Sequence, residues 1–151
     1  MDITPDDLSS GDVIALLEEH LRDMYATSPP ESVHALDIDA LKSPAIRFYS
    51  GWIDGNLAGC LAIKHLDDQH AELKSMRTAQ AYRNQGVAGS LLTHVLAHAK
   101  ACGYCRVSLE TGTQPYFYPA QRLYRRHGFE DCGPFGSYQP DPHSVFMTRR
   151  V

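Results

Sequence analysis

The residues with the clearest capacity for chemistry lie together, in Arg83-Asn84-Gln85-Gly86-Val87-Ala88-Gly89-Ser90, which runs directly into the apolar segment Leu91–Ala99. Small residues let backbone N–H groups approach a ligand closely, and the free N–H groups and dipole of a helix start favour phosphate. Arg83 adds a full positive charge at the mouth, and a strand-like run, Ala71–Thr78, leads in. The stretch reads as an anion cradle for a phosphorylated small molecule. It is not a P-loop, because no lysine precedes Ser90, and Gly86-Val87-Ala88-Gly89 does not supply the G-x-G-x-x-G of a dinucleotide site.

A second constellation follows a strand later: Ala120-Gln121-Arg122-Leu123-Tyr124-Arg125-Arg126-His127-Gly128-Phe129. The first stretch carries R-x-x-G-x-A at Arg83, Gly86 and Ala88, and the second carries A-x-x-L-Y-x-x-x-G-F. In this order, with a helix and a strand between them, the two signatures resemble those of the GNAT-type N-acetyltransferases. The resemblance covers the whole chain.

That resemblance implies acetyl-CoA as cosubstrate, seated where two parallel strands splay apart, one ending at Thr78 and the other starting near Arg106. Backbone around Met76, Arg77 and Thr78 would pair with the pantetheine arm. Arg83 and the N–H groups of Gln85, Gly86, Val87, Ala88, Gly89 and Ser90 would hold the pyrophosphate. An N–H near Met76 or Arg77 would polarise the thioester carbonyl. Tyr124 matches the family tyrosine that protonates the departing thiolate; a phenol titrates near pH 10 and carries its proton at neutral pH. The alternative for Tyr124 is a packing role in the cofactor wall. Glu110, at the end of its strand, and Glu72, on the central strand, are both candidates for the general base, acting through water, and either could instead be a structural carboxylate. His127 and His143 are weaker candidates.

Two positions depart from the family pattern. Gln80 stands where many members have proline, and Phe117 where many have asparagine. Phe117, flanked by Tyr116 and Tyr118, suggests an aromatic acceptor pocket completed by Trp52 or Tyr138; the plainer reading is that these rings only pack a loop onto the core.

The elements that must position these groups follow from periodicity. A strand over Met1–Pro5 precedes a helix over 11–26, in which Val13, Leu16, Leu17, His20, Leu21 and Met24 recur at helical spacing. Ser28-Pro29-Pro30 breaks it, and a short helix fits around Asp37–Lys42. Three antiparallel strands follow, over 46–53, 57–66 and 71–78, turned by Asp54-Gly55-Asn56 and Asp67-Asp68-Gln69-His70. The phosphate loop opens a helix over 86–102, Gly103 stops it, and Arg106–Thr111 is a strand parallel to its predecessor by a right-handed crossover. A helix over 120–127 and strands over 129–132 and 144–149 complete the order β-α-α-β-β-β-α-β-α-β-β. This order matches the α/β (α+β) GNAT fold that the resemblance implies: a mixed, mostly antiparallel twisted sheet with a central parallel pair and helices on both faces, in one domain over 1–151.

Composition limits the rest. With 43% hydrophobic and 21% charged residues the chain reads as an ordinary soluble globule, and no apolar run approaches a membrane span. The acidic start, Asp2, Asp6 and Asp7, does not suit a signal peptide, so the cytoplasm is the expected location. Cys102-x-x-Cys105 has the wrong polarity for a redox motif, since it joins a helix end to a strand. His94 and His98 have zinc-motif spacing, but Val95 replaces the glutamate, and no metal is expected. No basic stripe with aromatics points to nucleic acid. The net charge of −4 hides an asymmetry: up to Ala45 there are 10 acids against Arg22 and Lys42, and from Ile46 onward bases outnumber acids. An anionic cofactor at one region and a cationic or neutral acceptor at the other would fit, as would a solvated acidic helix.

The expected function is acetyl-CoA-dependent N-acetylation of a small-molecule or protein amine by direct attack in a ternary complex. The alternative is a non-catalytic acyl-CoA sensor of the same fold. The last two strands offer an edge for a homodimer.

Overall fold

The computed structural model describes residues 1–151. Its elements are β1 (Asp2–Pro5), α1 (Gly11–Thr27), α2 (Ile38–Leu41), β2 (Ile46–Ile53), β3 (Asn56–Asp67), β4 (His70–Thr78), α3 (Val87–Ala101), β5 (Arg106–Gly112), α4 (Tyr118–Arg126), β6 (Glu130–Cys132) and β7 (Ser144–Arg150). They form one seven-stranded sheet in the order β1-β2-β3-β4-β5-β7-β6. The sheet is antiparallel except at β4 and β5, which the α3 crossover makes parallel. No helix is long and apolar enough to cross a membrane.

The two faces of the sheet bury separate cores. On one face the stripe Val87, Leu91, Leu92, Val95, Leu96 and Ala99 of α3 packs on Leu61, Ile63, Leu73, Val107 and Leu109, joined by Tyr124 of α4 and Phe129. On the other, Val13, Leu16 and Leu17 of α1 meet Leu41, Phe48, Cys60 and Ala62. Each fully buried leucine contributes roughly 1.5–3 kcal/mol relative to an exposed one. Both helices therefore hold firmly to the strands that border the β4–β5 gap.

Most element bounds fall within a residue or two of the periodicity. The last helix departs most, beginning at Tyr118 rather than Ala120, because Pro119 in its first turn presets φ for a helix and needs no N–H partner. His94 and His98 both set their ring edges against Tyr49, at 5.5 and 5.7 Å between centroids. They are accounted for as half-covering of a core ring.

Two irregularities shape the centre. The β4–β5 ladder runs from His70↔Arg106 to Leu73↔Leu109 and stops, although β4 continues to Thr78 and β5 to Gly112. The strands part there. Just beyond, β4 bulges: Cys60 pairs with Arg77 and Ala62 with Lys74, which leaves Ser75 and Met76 together opposite Leu61. Ser75 takes a left-handed φ of 56°. A non-glycine residue held there costs of order 1 kcal/mol and persists because its surroundings enforce it.

Candidate active site

The bulge decides where the side chains of β4 point. Without it, Lys74 and Arg77 would fall on opposite faces, since side chains alternate along a strand. The extra residue returns both to the α1 face and turns Met76 toward α3 and α4. A cleft of about 580 Å³ opens at this place, and its walls come from α1, both sides of the β4–β5 gap, the loop before α3, and α4.

At one end lies the anion cradle. Asn84 and Gly86 both have positive φ, 61° and 81°, and Gly86 is the residue at which the chain turns into α3. Left-handed backbone at these two positions curls the loop, and a concave turn of this kind directs N–H groups toward a common anion. Arg83, Gly86, Val87, Ala88 and Gly89 line the cleft. Gln85 and Ser90 are exposed beside it without lining it, and the Gln85 amide donates instead to the Ala81 carbonyl at 3.1 Å. Arg126, the third residue before Phe129, also lines the cleft. It was not singled out in the sequence, where it stands as one of three arginines on a short amphipathic helix. The two guanidinium groups and the loop N–H groups could together hold a pyrophosphate.

At the middle, Met76, Arg77 and Thr78 form one wall of the gap. Tyr124 reaches in from α4, its hydroxyl 4.0 Å from the Met76 sulfur. Burial, with the nearby Glu110 carboxylate, pushes the Tyr124 phenol well above its ordinary value, so it remains a proton donor across the physiological range. Glu110 comes from the β5 side, and Ser144 of β7 donates to its Oε2 at 2.8 Å. Burial raises Glu110 to about 7. A carboxylate with that proton affinity changes state near neutral pH.

Glu72 is also buried, but its environment differs from that of Glu110. Its Oε2 accepts from Lys74 Nζ at 3.2 Å and from the Tyr138 hydroxyl at 2.5 Å, while Lys74 also donates to the Tyr138 oxygen at 3.0 Å. Burial and the adjoining carboxylate hold the Tyr138 proton on its oxygen. Glu72 is thus the acceptor in a closed ring of three side chains.

The cleft is also lined by His20 and Met24 of α1, by the segment after α1 from Ser28 to Ala35, and by Tyr116 and Tyr138. His34 and Tyr138 meet edge to face at 5.0 Å, so the segment after α1 touches the loop 133–143. His20 is buried, and desolvation lowers it to about 4, which leaves it neutral.

Arg77 ties α1 to the gap. Its Nη2 lies 2.6 Å from Glu19 and 2.7 Å from Asp23, and its Nη1 donates to the Tyr116 hydroxyl at 3.0 Å. Its contribution to the site is therefore its backbone and this brace, with the guanidinium directed toward α1.

The aromatic residues separate into different roles. Tyr138 and Tyr116 line the cleft. Phe117 also lines it but is 7% exposed and packs directly against Gly112, where a Cβ would come within 2.2 Å of its ring. Trp52 is elsewhere. It packs with the α1-side core, its Nε1 donating to Ser50 Oγ at 2.9 Å, and it is no part of the cleft wall. The reason is register: on β2, two strands from the gap, Trp52 pairs with Leu57 after a bulge at Gly51 and reaches only its own face of the sheet.

With the geometry described, comparison with known proteins is decisive. The acetyltransferase (GNAT) family model matches residues 13–129. The chain belongs to that family. It is an acyltransferase, and it is 48% identical over 151 residues to YsnE of Bacillus subtilis, an uncharacterized N-acetyltransferase, with all of both chains covered. It is 39% identical over 143 residues to the IAA acetyltransferase of Azospirillum brasilense, covering 91% of this chain and 89% of that one. A GNAT-family acetyltransferase structure from Elizabethkingia anophelis with acetyl-CoA bound superimposes with a TM-score of 0.72 at 20% identity, covering 99% of this chain and 97% of the other. That likeness establishes the fold.

Proposed function

We propose that this GNAT enzyme moves an acetyl group from acetyl-CoA to a primary amine by direct attack in a ternary complex. The observation that carries the reading is the parting of β4 and β5 beyond Leu73 and Leu109, with Glu110 and Tyr124 both at the gap. The residues present suit the cosubstrate. A curled loop bordered by Arg83 and Arg126 matches a pyrophosphate, and a strand segment released from its parallel neighbour offers backbone groups to an extended arm.

In this reading Glu110, directly or through one water, takes a proton from the attacking ammonium, so that its nitrogen lone pair is free. Glu110 is preferred to Glu72 because Glu72 already accepts from Tyr138 and Lys74, whereas Glu110 has Ser144 alone. A backbone N–H of the bulged segment at Met76 or Arg77 stabilises the carbonyl oxygen as charge develops. The new N–C bond forms as the C–S bond breaks, and Tyr124 gives its proton to the departing sulfur. The second proton of the nitrogen, lost as the amide forms, returns to the tyrosinate, and Glu110 releases the first to solvent, which closes the balance.

His20, Tyr116 and Tyr138 give the acceptor side an aromatic lining that suits a ring-bearing amine. The reading is tested by initial rates with acetyl-CoA and amine both varied. Intersecting double-reciprocal lines are expected, and parallel lines with an isolable acetyl-enzyme would overturn direct attack.

A further inference from the structure

The transfer steps leave one buried charged group unused, the ring of Glu72, Lys74 and Tyr138. Its side chains are almost fully enclosed, 4% exposed for Glu72 and 8% for Lys74. Burying an ammonium and a carboxylate beside a reaction gap is expensive, and the pair is retained only with good geometry and further hydrogen bonds. Tyr138 supplies those bonds from a loop 66 residues away in sequence from Glu72. The ring sits on the same face of the sheet as Glu110, because Glu72 pairs with Ser108 in the parallel ladder and Glu110 lies two residues further along β5.

We infer that Lys74 and Glu72 are positioning residues that bias Glu110 from across the gap, the ammonium favouring its carboxylate and the Glu72 carboxylate opposing it, while Tyr138 holds both charges in place. The inference rests on the reading of Glu110 as the base. The groups that face Glu110 are Glu72 and Lys74 from β4, Ser144 from β7, Tyr124 from α4, and Asp141 from the loop before β7. Ser144 and Tyr124 are uncharged at neutral pH, while Asp141 keeps its negative charge as it accepts the His143 N–H at 2.8 Å and acts on Glu110 in the same sense as Glu72 from a solvent-facing loop. The buried charges that face Glu110 are the two members of the ring, of opposite sign.

Opposite signs make the inference sharply testable. A positive charge facing a carboxyl favours its ionised form and a negative one its protonated form. In protein carrying glutamate labelled with 13C at the side-chain carboxyl, the Glu110 resonance is identified by its loss in Glu110→Gln and then titrated. Lys74→Met should raise the Glu110 midpoint by about one unit and Glu72→Gln should lower it. Tyr138→Phe, which removes no charge, should move it less than either. The acid limb of kcat/KM should follow in the same directions. If both charge variants shift the midpoint the same way, or neither shifts it, the inference fails; a purely structural role predicts such common behaviour. Glu72→Gln is isosteric and keeps the test in hand if Lys74→Met does not fold. The NMR titration needs no turnover, so it is decided separately from the assignment of the base, which full activity of Glu110→Gln would refute.

Discussion

The hydroxyl of Tyr124 stands 4.0 Å from the sulfur of Met76, on opposite sides of the gap that β4 leaves when it parts from β5. Tyr124 is 7% exposed and keeps its proton. A phenol that packs the wall and a phenol that donates to a leaving sulfur make different demands on Tyr124→Phe. The ring stays in the substitution and only the hydroxyl goes. As a donor its loss should lower kcat by about 10²–10⁴-fold, the usual scale of general acid catalysis, with acetyl-CoA affinity unchanged. Stopped-flow single turnovers beside a binding titration separate the two quantities.

The cradle should behave as an electrostatic site. Arg83→Ala and Arg126→Ala should each weaken acetyl-CoA binding, and the double variant should also flatten its dependence on ionic strength, since screened charges are what salt attenuates. Gly86→Ala should weaken binding by a different route. Its φ of 81° costs an L-residue about 1–2 kcal/mol, so the loop would relax away from the curled form. Calorimetric titration at two salt concentrations distinguishes these causes.

Phe117 and Gly112 form a packed pair in which a methyl group has no room. A Cβ on Gly112 would meet Phe117 ring atoms at 2.2 and 2.3 Å. Gly112→Ala should destabilise the fold by about 1–3 kcal/mol through overpacking. Gly112→Ala with Phe117→Leu should recover part of that loss, so the pair is non-additive in a double-mutant cycle read by urea denaturation.

The brace from β4 to α1 should be visible in acid stability. The hydrogen bond from Arg77 holds Asp23 below the usual carboxylate range. Because the folded-state value is depressed, the stabilisation is complete above the unfolded value, near pH 4, and is lost as pH falls through the lowered value. Asp23→Asn should therefore flatten the fall in stability below about pH 4 and leave the slope above it unchanged. The carboxylates are 40% exposed at Glu19 and 37% at Asp23, so solvent moderates the size of the effect. Denaturant midpoints between pH 2 and 7 give the measurement.

Periodicity and turn residues carried the fold because each long element buries one clear stripe: α3 through Leu91, Leu92, Val95 and Ala99, α1 through Val13, Leu16 and Leu17. The glycine loop was legible for a related reason, since few residue sets tolerate the backbone that Gly86 adopts. The bulge at Ser75 was not. Serine is no special residue for a left-handed φ, and the extra residue becomes visible only when Leu61 is found opposite two partners. Without the bulge the common face of Lys74 and Arg77 could not be read, and the ring that Lys74 makes with Glu72 was hidden because Tyr138 comes from a loop 66 residues away. Trp52 was a candidate to complete an aromatic pocket, but aromatic character does not reveal which strand, and how far from the gap, a residue will occupy. Arg126 was hidden among neighbouring arginines whose orientation only the start of α4 at Tyr118 fixes.

The central claim is that this GNAT cleft turns acetyl-CoA over and does not merely bind it. The direct measurement follows free thiol release from acetyl-CoA by the purified protein across a panel of amines, including aromatic amines, polyamines, amino acids and lysine peptides, with the acetylated amine counted by mass spectrometry. The expected result is release that requires an acceptor, matches the acetylated amine one for one, and collapses in Tyr124→Phe. Saturable acetyl-CoA binding with no acceptor-dependent release across the panel would contradict the claim and support an acyl-CoA sensor.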